Sequence, residues 1–347
     1  MKRKRAVKAE TADLGHCSNL KFSAGFVIKF LACSIVLYAL AIWLPESAFD
    51  ALNENTARMA AYCLNLVGMH PVLSGRSLSQ NGFAVSVITE CSALYMGILF
   101  FSFVVSYPAT LRRKFIGFPL GVAVLQVGNI LRIAAVFAIG VQSRGSFELV
   151  HVYLGQVLMV LFVLAVCLAW LRIWEEPLTR EHDILSFLIR FLAFSSIPFL
   201  LWLPLNKEYV KLSDQAVTGL FSLLNYRLWM PYQHAIYYQT FNVVTFTGLV
   251  LATRKQPPKW KFQLLAAGLA AIFIMQILFR VCNVLVTAFH NEPAERLGAG
   301  ISLSGQYLLP VGFWLLMVGK KTRASKQPHQ RHSKLTVSSP KGSPHRL

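Results

Sequence analysis

Three polar side chains stand at the start or in the middle of apolar segments, and together they could perform acyl transfer. They are Cys91, Arg132 and His151. A cysteine thiolate is a nucleophile, histidine can take the thiol proton, and arginine can bind an oxyanion that forms on a carbonyl. Taken singly, each has a simpler explanation, namely packing for Cys91, helix anchoring for Arg132 and an interfacial position for His151. Their convergence at one depth is what favours chemistry.

Long apolar segments must position these side chains. The chain has 347 residues, of which 55% are hydrophobic and 14% are charged, a composition typical of integral membrane proteins. We predict an all-α integral membrane protein with about eight transmembrane helices, because most of the apolar segments are long enough to cross a hydrocarbon core of ~30 Å. The predicted segments are 24–44, 85–106, 115–141, 149–171, 184–204, 238–253, 262–288 and 300–319.

The charge distribution predicts the orientation of the chain. The net charge of +19 is carried mostly by the two termini and by short segments between alternate apolar runs, such as residues 112–114 and 254–261. This is the positive-inside pattern, with both termini cytoplasmic, and it argues against a nucleic-acid-binding protein. Cys91, Arg132 and His151 then lie at or near the outer boundary of the membrane.

Two stretches of the chain resemble each other. FVIKFLACS, which begins at Phe26, is similar to FLIRFLAFS, which begins at Phe187, and Gly155-Gln156 recurs as Gly305-Gln306. We predict two parallel four-helix repeats. The predicted divisions are a basic cytoplasmic N-terminus (1–21), a catalytic unit (22–175), a second, non-catalytic unit (180–319) and a disordered basic cytoplasmic tail near anionic lipid (320–347).

The two repeats differ at the polar positions. Arg132 falls opposite Arg280, but neither Cys91 nor His151 has a counterpart of its own type in the second repeat. Chemistry therefore belongs to the first repeat.

Four short patterns in the first repeat resemble the exosortase/archaeosortase family. They are Glu90-Cys91-Ser92, the RRK loop at 112–114, Asn129-x-x-Arg132 and Phe147-x-x-x-His151. The resemblance implies a multi-pass cysteine transpeptidase of the bacterial inner membrane, with Cys91 as nucleophile, His151 as base and Arg132 as the third catalytic residue.

The resemblance also implies the substrates. They are secreted proteins with a C-terminal sorting signal, which consists of a short motif, a transmembrane helix and a basic tail. Cleavage near the motif at the outer face passes through a Cys thioester, and the acyl group goes to an acceptor or to water.

Other residues have weaker claims. Asn129 shares a helix face with Arg132, and Glu90 is either a solvated carboxylate, a partner of Arg132 or Arg76, or a substrate-binding group. The sequence predicts no cofactor and no metal site, since no pair of cysteines forms a CxxC motif and the histidines outside the apolar segments lack ligand spacing. The oligomeric state stays open.

Two other functions fit the same sequence. One is a non-catalytic membrane assembly factor for envelope or polysaccharide export. The other is a two-repeat transporter in which Arg132 and Arg280 line an anionic pathway.

Overall fold

The computed structural model describes residues 24–174, 181–228, 230, 239–254 and 256–315. The helices of the first half are α1 (Ala24–Trp43), α2 (Asp50–Leu66), α3 (Leu94–Ser106), α4 (Leu111–Gln142), α5 (Arg144–Val152) and α6 (Met159–Trp174). Those of the second half are α7 (Glu181–Ser222), α8 (Asn242–Ala252), α9 (Pro258–Phe289) and α10 (Glu292–Leu303). Residues 309–315 are also helical.

Shorter helical pieces connect these helices. There are 3₁₀ turns at Glu46–Phe49 and Thr89–Cys91. A π-helical segment lies between α5 and α6 (the first π segment, Tyr153–Leu158), and another follows α10 (the second π segment, Ser304–Leu308). Single π turns inside α-helices are frequent at functional sites, because the extra residue redirects the side chains around it.

Among the described residues, four helices are long and apolar enough to cross a membrane. They correspond to Gly25–Trp43, Leu111–Gln142, Leu185–Ser222 and Pro258–Phe289, and shorter apolar helices lie at Leu94–Ser106, Met159–Ile173 and Asn242–Ala252. The chain is therefore a helical membrane protein, as predicted.

A small antiparallel sheet was not predicted. It consists of β1 (Val72–Ser74), β2 (Ser77–Gln80) and β3 (Phe83–Ser86), in the order β1-β2-β3. The β2–β3 turn consists of Asn81 and Gly82, whose φ angles of 53° and 72° match the left-handed conformation that a type I′ hairpin requires.

The sheet corrects one predicted boundary. We expected one helical segment over residues 85–106, but the helix begins only at Leu94. The residues before it form the end of β3 and the 3₁₀ turn Thr89–Cys91. This stretch forms a strand and not a helix, although it is apolar. The turn at Asn81-Gly82 starts the strand, and the side chains of Phe83, Val85 and Val87 point inward at every second position.

One face of the sheet packs on α2 and α4. The side chains of Leu64, Leu78, Val87 and Phe137 are almost completely buried there. The ring of Phe83 lies 5.8 Å from that of Phe137, which attaches β3 directly to α4. The sheet is thus a fixed support for the residues that follow it.

The two halves share one core. In the first half α1 packs on α3, and in the second half α7 packs on α8. Contacts also cross between the halves, because α8 packs against the first π segment and α1 packs against α10 and the second π segment. A large buried cluster accordingly contains residues of both halves, among them Phe100 and Phe241.

Candidate functional site

Cys91 lies in a turn between β3 and α3. Its N–H donates to the carbonyl of Ile88 at 2.8 Å, and the Ser92 hydroxyl donates to the carbonyl of Thr89 at 2.7 Å. The Asn53 side chain on α2 donates to the Thr89 hydroxyl at 3.2 Å. These bonds satisfy the polar groups of the turn locally and hold it against α2.

Helix α4 holds the carbonyl of Cys91 from the other side. Asn129 donates through Nδ2 to the Cys91 carbonyl oxygen at 2.8 Å, and Arg132 donates to the same oxygen through Nη2 at 3.2 Å. Residues three apart share one helix face, which explains how both reach one atom. Asn129 is completely buried, so its hydrogen bond fixes the backbone of Cys91 within the core.

His151 lies in the last turn of α5, directly before the first π segment. Its ring meets the ring of Phe147 edge-on, with 5.3 Å between the centroids. Phe147 in turn meets Phe83 on β3 at 5.1 Å. A row of aromatic rings therefore connects His151 to the sheet.

The three side chains line one small cavity, the first cavity. Its volume is about 20 Å³, and its lining residues are Val85, Ser86, Val87, Cys91, Arg132, Ile133, Val136 and His151. A single water molecule needs roughly 10–15 Å³ of cavity volume, so the first cavity has space for about one water molecule. Cys91, Arg132 and His151 come from a turn, from α4 and from α5, and only the fold brings them together.

The environment of His151 favours a neutral imidazole. The predicted segment 149–171 began too early, because His151 belongs to α5 and the apolar helix of this region is Met159–Ile173. Burial and, to a smaller extent, the positive charge of Arg132 lower the pKa of His151 to about 4. A neutral imidazole at neutral pH is the form that can accept a proton.

Gly155, in the first π segment, is a site residue that the sequence did not reveal as such. A Cβ at this position would lie 3.2 Å from Nη1 of Arg132 and 3.7 Å from Cδ2 of His151. The absence of a side chain therefore lets the guanidinium come close to the backbone of the π segment. The repeated Gly-Gln pair was the visible signal, but the sequence did not show what it contacts.

Glu90 is not part of this cluster. Its side chain is exposed, and in the described part of the chain it forms no ion pair with Arg132 or Arg76. Nη1 of Arg76 instead lies 3.6 Å from Oδ1 of Asp50. Among the described residues, no group of three or more His, Cys, Asp and Glu side chains is placed to hold a metal ion.

The second half has a small cavity of its own, the second cavity, between α8, α9, α10 and the second π segment. Its volume is about 10 Å³, and it is lined by Gln239, Asn242, Met275, Gln276, Phe279, Ile301, Ser302, Gly305 and Gln306. Amide side chains occupy it. Gln239 donates to Ser302 at 2.6 Å, and Gln276 donates to Asn242 at 2.8 Å.

Arg280, the predicted counterpart of Arg132, has a different environment. It is only 2% exposed, and its Nε donates to the Asp214 carboxylate on α7 at 2.6 Å. It also donates to Asn283 at 3.2 Å. The carboxylate neutralises the guanidinium, as a buried charge requires.

Comparison with known proteins gives one match. Residues 22–171 match the family model described as transmembrane exosortase. The matched region contains Cys91, Arg132 and His151, and it confirms the resemblance found in the sequence. No curated protein and no solved structure matches the chain.

Proposed function

We propose that this chain, whose residues 22–171 match the transmembrane exosortase family model, is a cysteine transpeptidase that cleaves C-terminal sorting signals of secreted proteins at the outer face of a bacterial inner membrane. The observation that carries the proposal is the first cavity, where Cys91, Arg132 and His151 meet from three separate elements. Thiol, base and cation are the groups that acyl transfer to cysteine needs.

The first chemical step forms a thioester. Neutral His151 takes the proton of the Cys91 thiol, and the thiolate attacks the carbonyl carbon of the scissile peptide bond. The guanidinium of Arg132 has five N–H groups. One on Nη2 donates to the Cys91 carbonyl, and others can donate to the oxyanion of the tetrahedral intermediate. When the C–N bond breaks, the leaving amine takes the proton from His151, and the substrate's membrane helix departs with it.

The second step releases the acyl group. An acceptor nucleophile or water gives a proton to His151 and attacks the thioester carbonyl. The C–S bond breaks, and the Cys91 thiolate regains its proton from His151. Asn129 is not part of the proton transfer, and its role is to hold the Cys91 backbone through the 2.8 Å bond to the carbonyl.

The proposed topology has eight membrane crossings in two parallel repeats. Helices α4 and α9 each have 32 residues, and each precedes a short helix and then a π segment. Helices α3 and α8, with 13 and 11 residues, occupy corresponding places before them. The positive-inside charge pattern supports cytoplasmic termini. The segments 1–21 and 320–347 lie outside the described residues.

The second repeat acts as a scaffold in this proposal. Helix α8 packs against the first π segment, so it supports the backbone around Gly155 from behind. Arg280 does not support the transporter alternative, because the Asp214 carboxylate neutralises the guanidinium that would line an anionic pathway. The assembly-factor alternative predicts that substitutions in the first cavity have no effect on processing.

Covalent trapping tests the proposal. Sorting-signal tails from proteins of the host organism are fused to a secreted reporter and expressed in membranes together with this chain. We expect a reporter–enzyme adduct on Cys91, detected by mass spectrometry and removed by hydroxylamine, which cleaves thioesters. Cys91→Ala should abolish the adduct.

Cys63→Ala is the matched control. Cys63 is a partly buried thiol on α2 in the same hydrophobic cluster as the site, and it does not line the first cavity. Its loss should leave the adduct unchanged. Cleavage of the reporter by the Cys91→Ala protein at the normal rate would refute the proposed function.

A further inference from the structure

The backbone of β3 has a free edge beside the first cavity. The N–H of Val87 donates to the carbonyl of Arg76 at 2.9 Å, so the polar groups of Val87 face β2. Backbone groups alternate in direction along a strand. Phe83 and Val85 therefore also face β2, which agrees with their pairing to Gln80 and Leu78. The N–H and C=O groups of Ala84 and Ser86 face the opposite way.

These outward groups have no strand beside them. The sheet order is β1-β2-β3, and in the described part of the chain no other strand pairs with β3. Ala84 and Ser86 are both exposed, and no backbone hydrogen bond to another element of the described chain engages them. Two donors and two acceptors at a two-residue spacing are the template that an added extended peptide uses.

The free edge is continuous with the reactive thiol. Val85, Ser86 and Val87 line the first cavity together with Cys91 and His151. Cys91 lies only five positions after Ser86, and the turn between them is fixed by hydrogen bonds to Ile88 and Thr89. A peptide paired with β3 would therefore run alongside the cavity that contains the thiol.

The first cavity itself offers little space for recognition. With about 20 Å³ it holds roughly one water molecule, which is less than one amino-acid side chain needs. Substrate recognition next to the thiol must therefore use the surface around it. A strand edge binds the backbone, which fixes the register of the peptide and the orientation of each carbonyl.

We propose that β3 binds the extended segment of the sorting signal that contains the scissile bond, by adding it to the sheet through the outward backbone groups of Ala84 and Ser86. The proposal rests on the transpeptidase function described above. The membrane helix of the substrate sets the depth of the signal, and β3 sets its register, so that one carbonyl is presented to Cys91.

Proline substitution removes one of the proposed hydrogen bonds. Ser86→Pro removes an outward N–H and one exposed side-chain bond from Ser77, but it leaves the backbone bonds between β3 and β2 in place. The matched control is Leu73→Pro on β1. Leu73 pairs with Leu78 on β2, and the backbone N–H and C=O of Leu78 face β3. The backbone N–H of Leu73 therefore faces outward, at the opposite edge of the same sheet. Both positions are exposed.

The measured quantity is the rate of thioester formation on a sorting-signal reporter in nanodiscs. We expect Ser86→Pro to lower this rate at least about tenfold, which corresponds to one hydrogen bond and the lost register. Leu73→Pro should stay within about twofold of the wild type. Thermal unfolding in detergent should occur at the wild-type temperature in both variants, which separates a loss of peptide docking from a disrupted sheet.

A substrate-side measurement keeps the proposal testable even if Ser86→Pro fails to fold. In semisynthetic reporters, single backbone amides of the signal are replaced by esters, which removes one N–H at a time. With the wild-type enzyme we expect the rate to fall at alternate positions, because only every second residue pairs with β3. A profile without this two-residue period would overturn the proposal.

The outcomes separate the two proposals. If the wild type forms no thioester with any reporter, the transpeptidase function fails. If the wild type reacts and Ser86→Pro reacts equally well, only β3 docking fails. A wild type that is dimeric, and that becomes monomeric on Ser86→Pro without a change in rate, would show that the edge pairs with a second copy of the chain and would also overturn docking.

Discussion

Each half of the chain has one of the two small cavities, and the first and second cavities are lined by different kinds of side chain. In the first, the guanidinium of Arg132 is half-buried and lies against the carbonyl of Cys91. In the second half, Arg280 is almost completely buried and bound to Asp214, but it does not line the second cavity, where amide side chains satisfy one another. Two arginines at nearly the same place on 32-residue helices thus have different partners, the Cys91 carbonyl in one half and a carboxylate in the other.

The glycines of the two π segments repeat this contrast. A Cβ at Gly155 would press on the guanidinium of Arg132 and the ring of His151, whereas a Cβ at Gly305 would meet the end of the Met275 side chain. Both glycines permit a close approach to the backbone. Only in the first half does the approaching group belong to the proposed site.

The largest predicted effect is the loss of the thiol. Cys91→Ala should eliminate thioester formation and lower reporter cleavage by on the order of 10³-fold or more, since no other group of the site can form the acyl intermediate. Cleavage is measured by immunoblotting of the reporter in membranes. If the second half carried its own chemistry, substantial cleavage would survive, and the comparison between the halves would be wrong.

The two arginines should respond in opposite ways. Arg132→Ala should lower the rate of thioester formation about 10²–10³-fold, as loss of an oxyanion donor does, with little change in thermal stability. Arg280→Ala should instead lower the free energy of unfolding by about 3–5 kcal/mol, because the Asp214 carboxylate is left without its guanidinium in the core.

Thermal unfolding in detergent and single-turnover acylation measure the two properties separately. If Arg280→Ala unfolds with wild-type stability, or if Arg132→Ala forms the thioester at the wild-type rate, the proposed difference between the two arginines is wrong.

The glycines of the π segments give a smaller and sharper test. Gly155→Ala should lower the acylation rate about tenfold. The added methyl group makes the guanidinium of Arg132 move by a few tenths of an ångström, and such a shift disturbs the alignment of the reacting groups. Gly305→Ala is the matched control, and the flexible Met275 side chain can move aside. Equal effects of the two substitutions on acylation would mean that Gly155 has no specific relation to the site.

The pH dependence of acylation should reflect the neutral histidine. Because the pKa of His151 is lowered to about 4, its imidazole stays unprotonated as the pH falls, and the acid limb of the rate should lie near pH 4. A histidine with an ordinary pKa near 6.5 would lose about nine-tenths of its base form by pH 5.5. A rate measured in nanodiscs that has already fallen tenfold at pH 5.5 would refute the lowered pKa.

Glu90 should matter least. Glu90→Gln should change the acylation rate by no more than about twofold, since an exposed carboxylate interacts weakly with charges across water. Steady-state cleavage at low and high salt checks this. A loss comparable to that of Arg132→Ala would place Glu90 in the reacting group in spite of its exposed position.

Much of the site was readable from the sequence, but its contacts were not. Cys91, Arg132 and His151 stood out because lipid-facing helices rarely contain such side chains. That Asn129 and Arg132 both bind the Cys91 carbonyl depends on how the turn packs on α4, a tertiary relation that no local pattern encodes. The Asp214 partner of Arg280 is hidden for the same reason, since 66 residues separate the two.

The missed sheet is a different kind of error. Asn81-Gly82, flanked by alternating apolar residues, is a strong hairpin signal in its own right. Hydropathy dominated the prediction because residues 83–106 are mostly apolar, with Glu90 as their one charged residue. A window of helix length does not distinguish a buried strand from the start of a helix. The helix prediction was therefore right for Leu94–Ser106 and wrong for the residues immediately before it.

The size of the first cavity also bears on how the free thiol of Cys91 would survive on the outer, oxidising side of a membrane, where the proposed function places it. Exposed cysteines there are converted to disulfides or to sulfenic and sulfinic acids. A space of about 20 Å³ admits a molecule the size of water but not glutathione or a second protein thiol. In the proposed function, the small space that makes a substrate dock beside the cavity would also protect Cys91 from large thiols between turnovers.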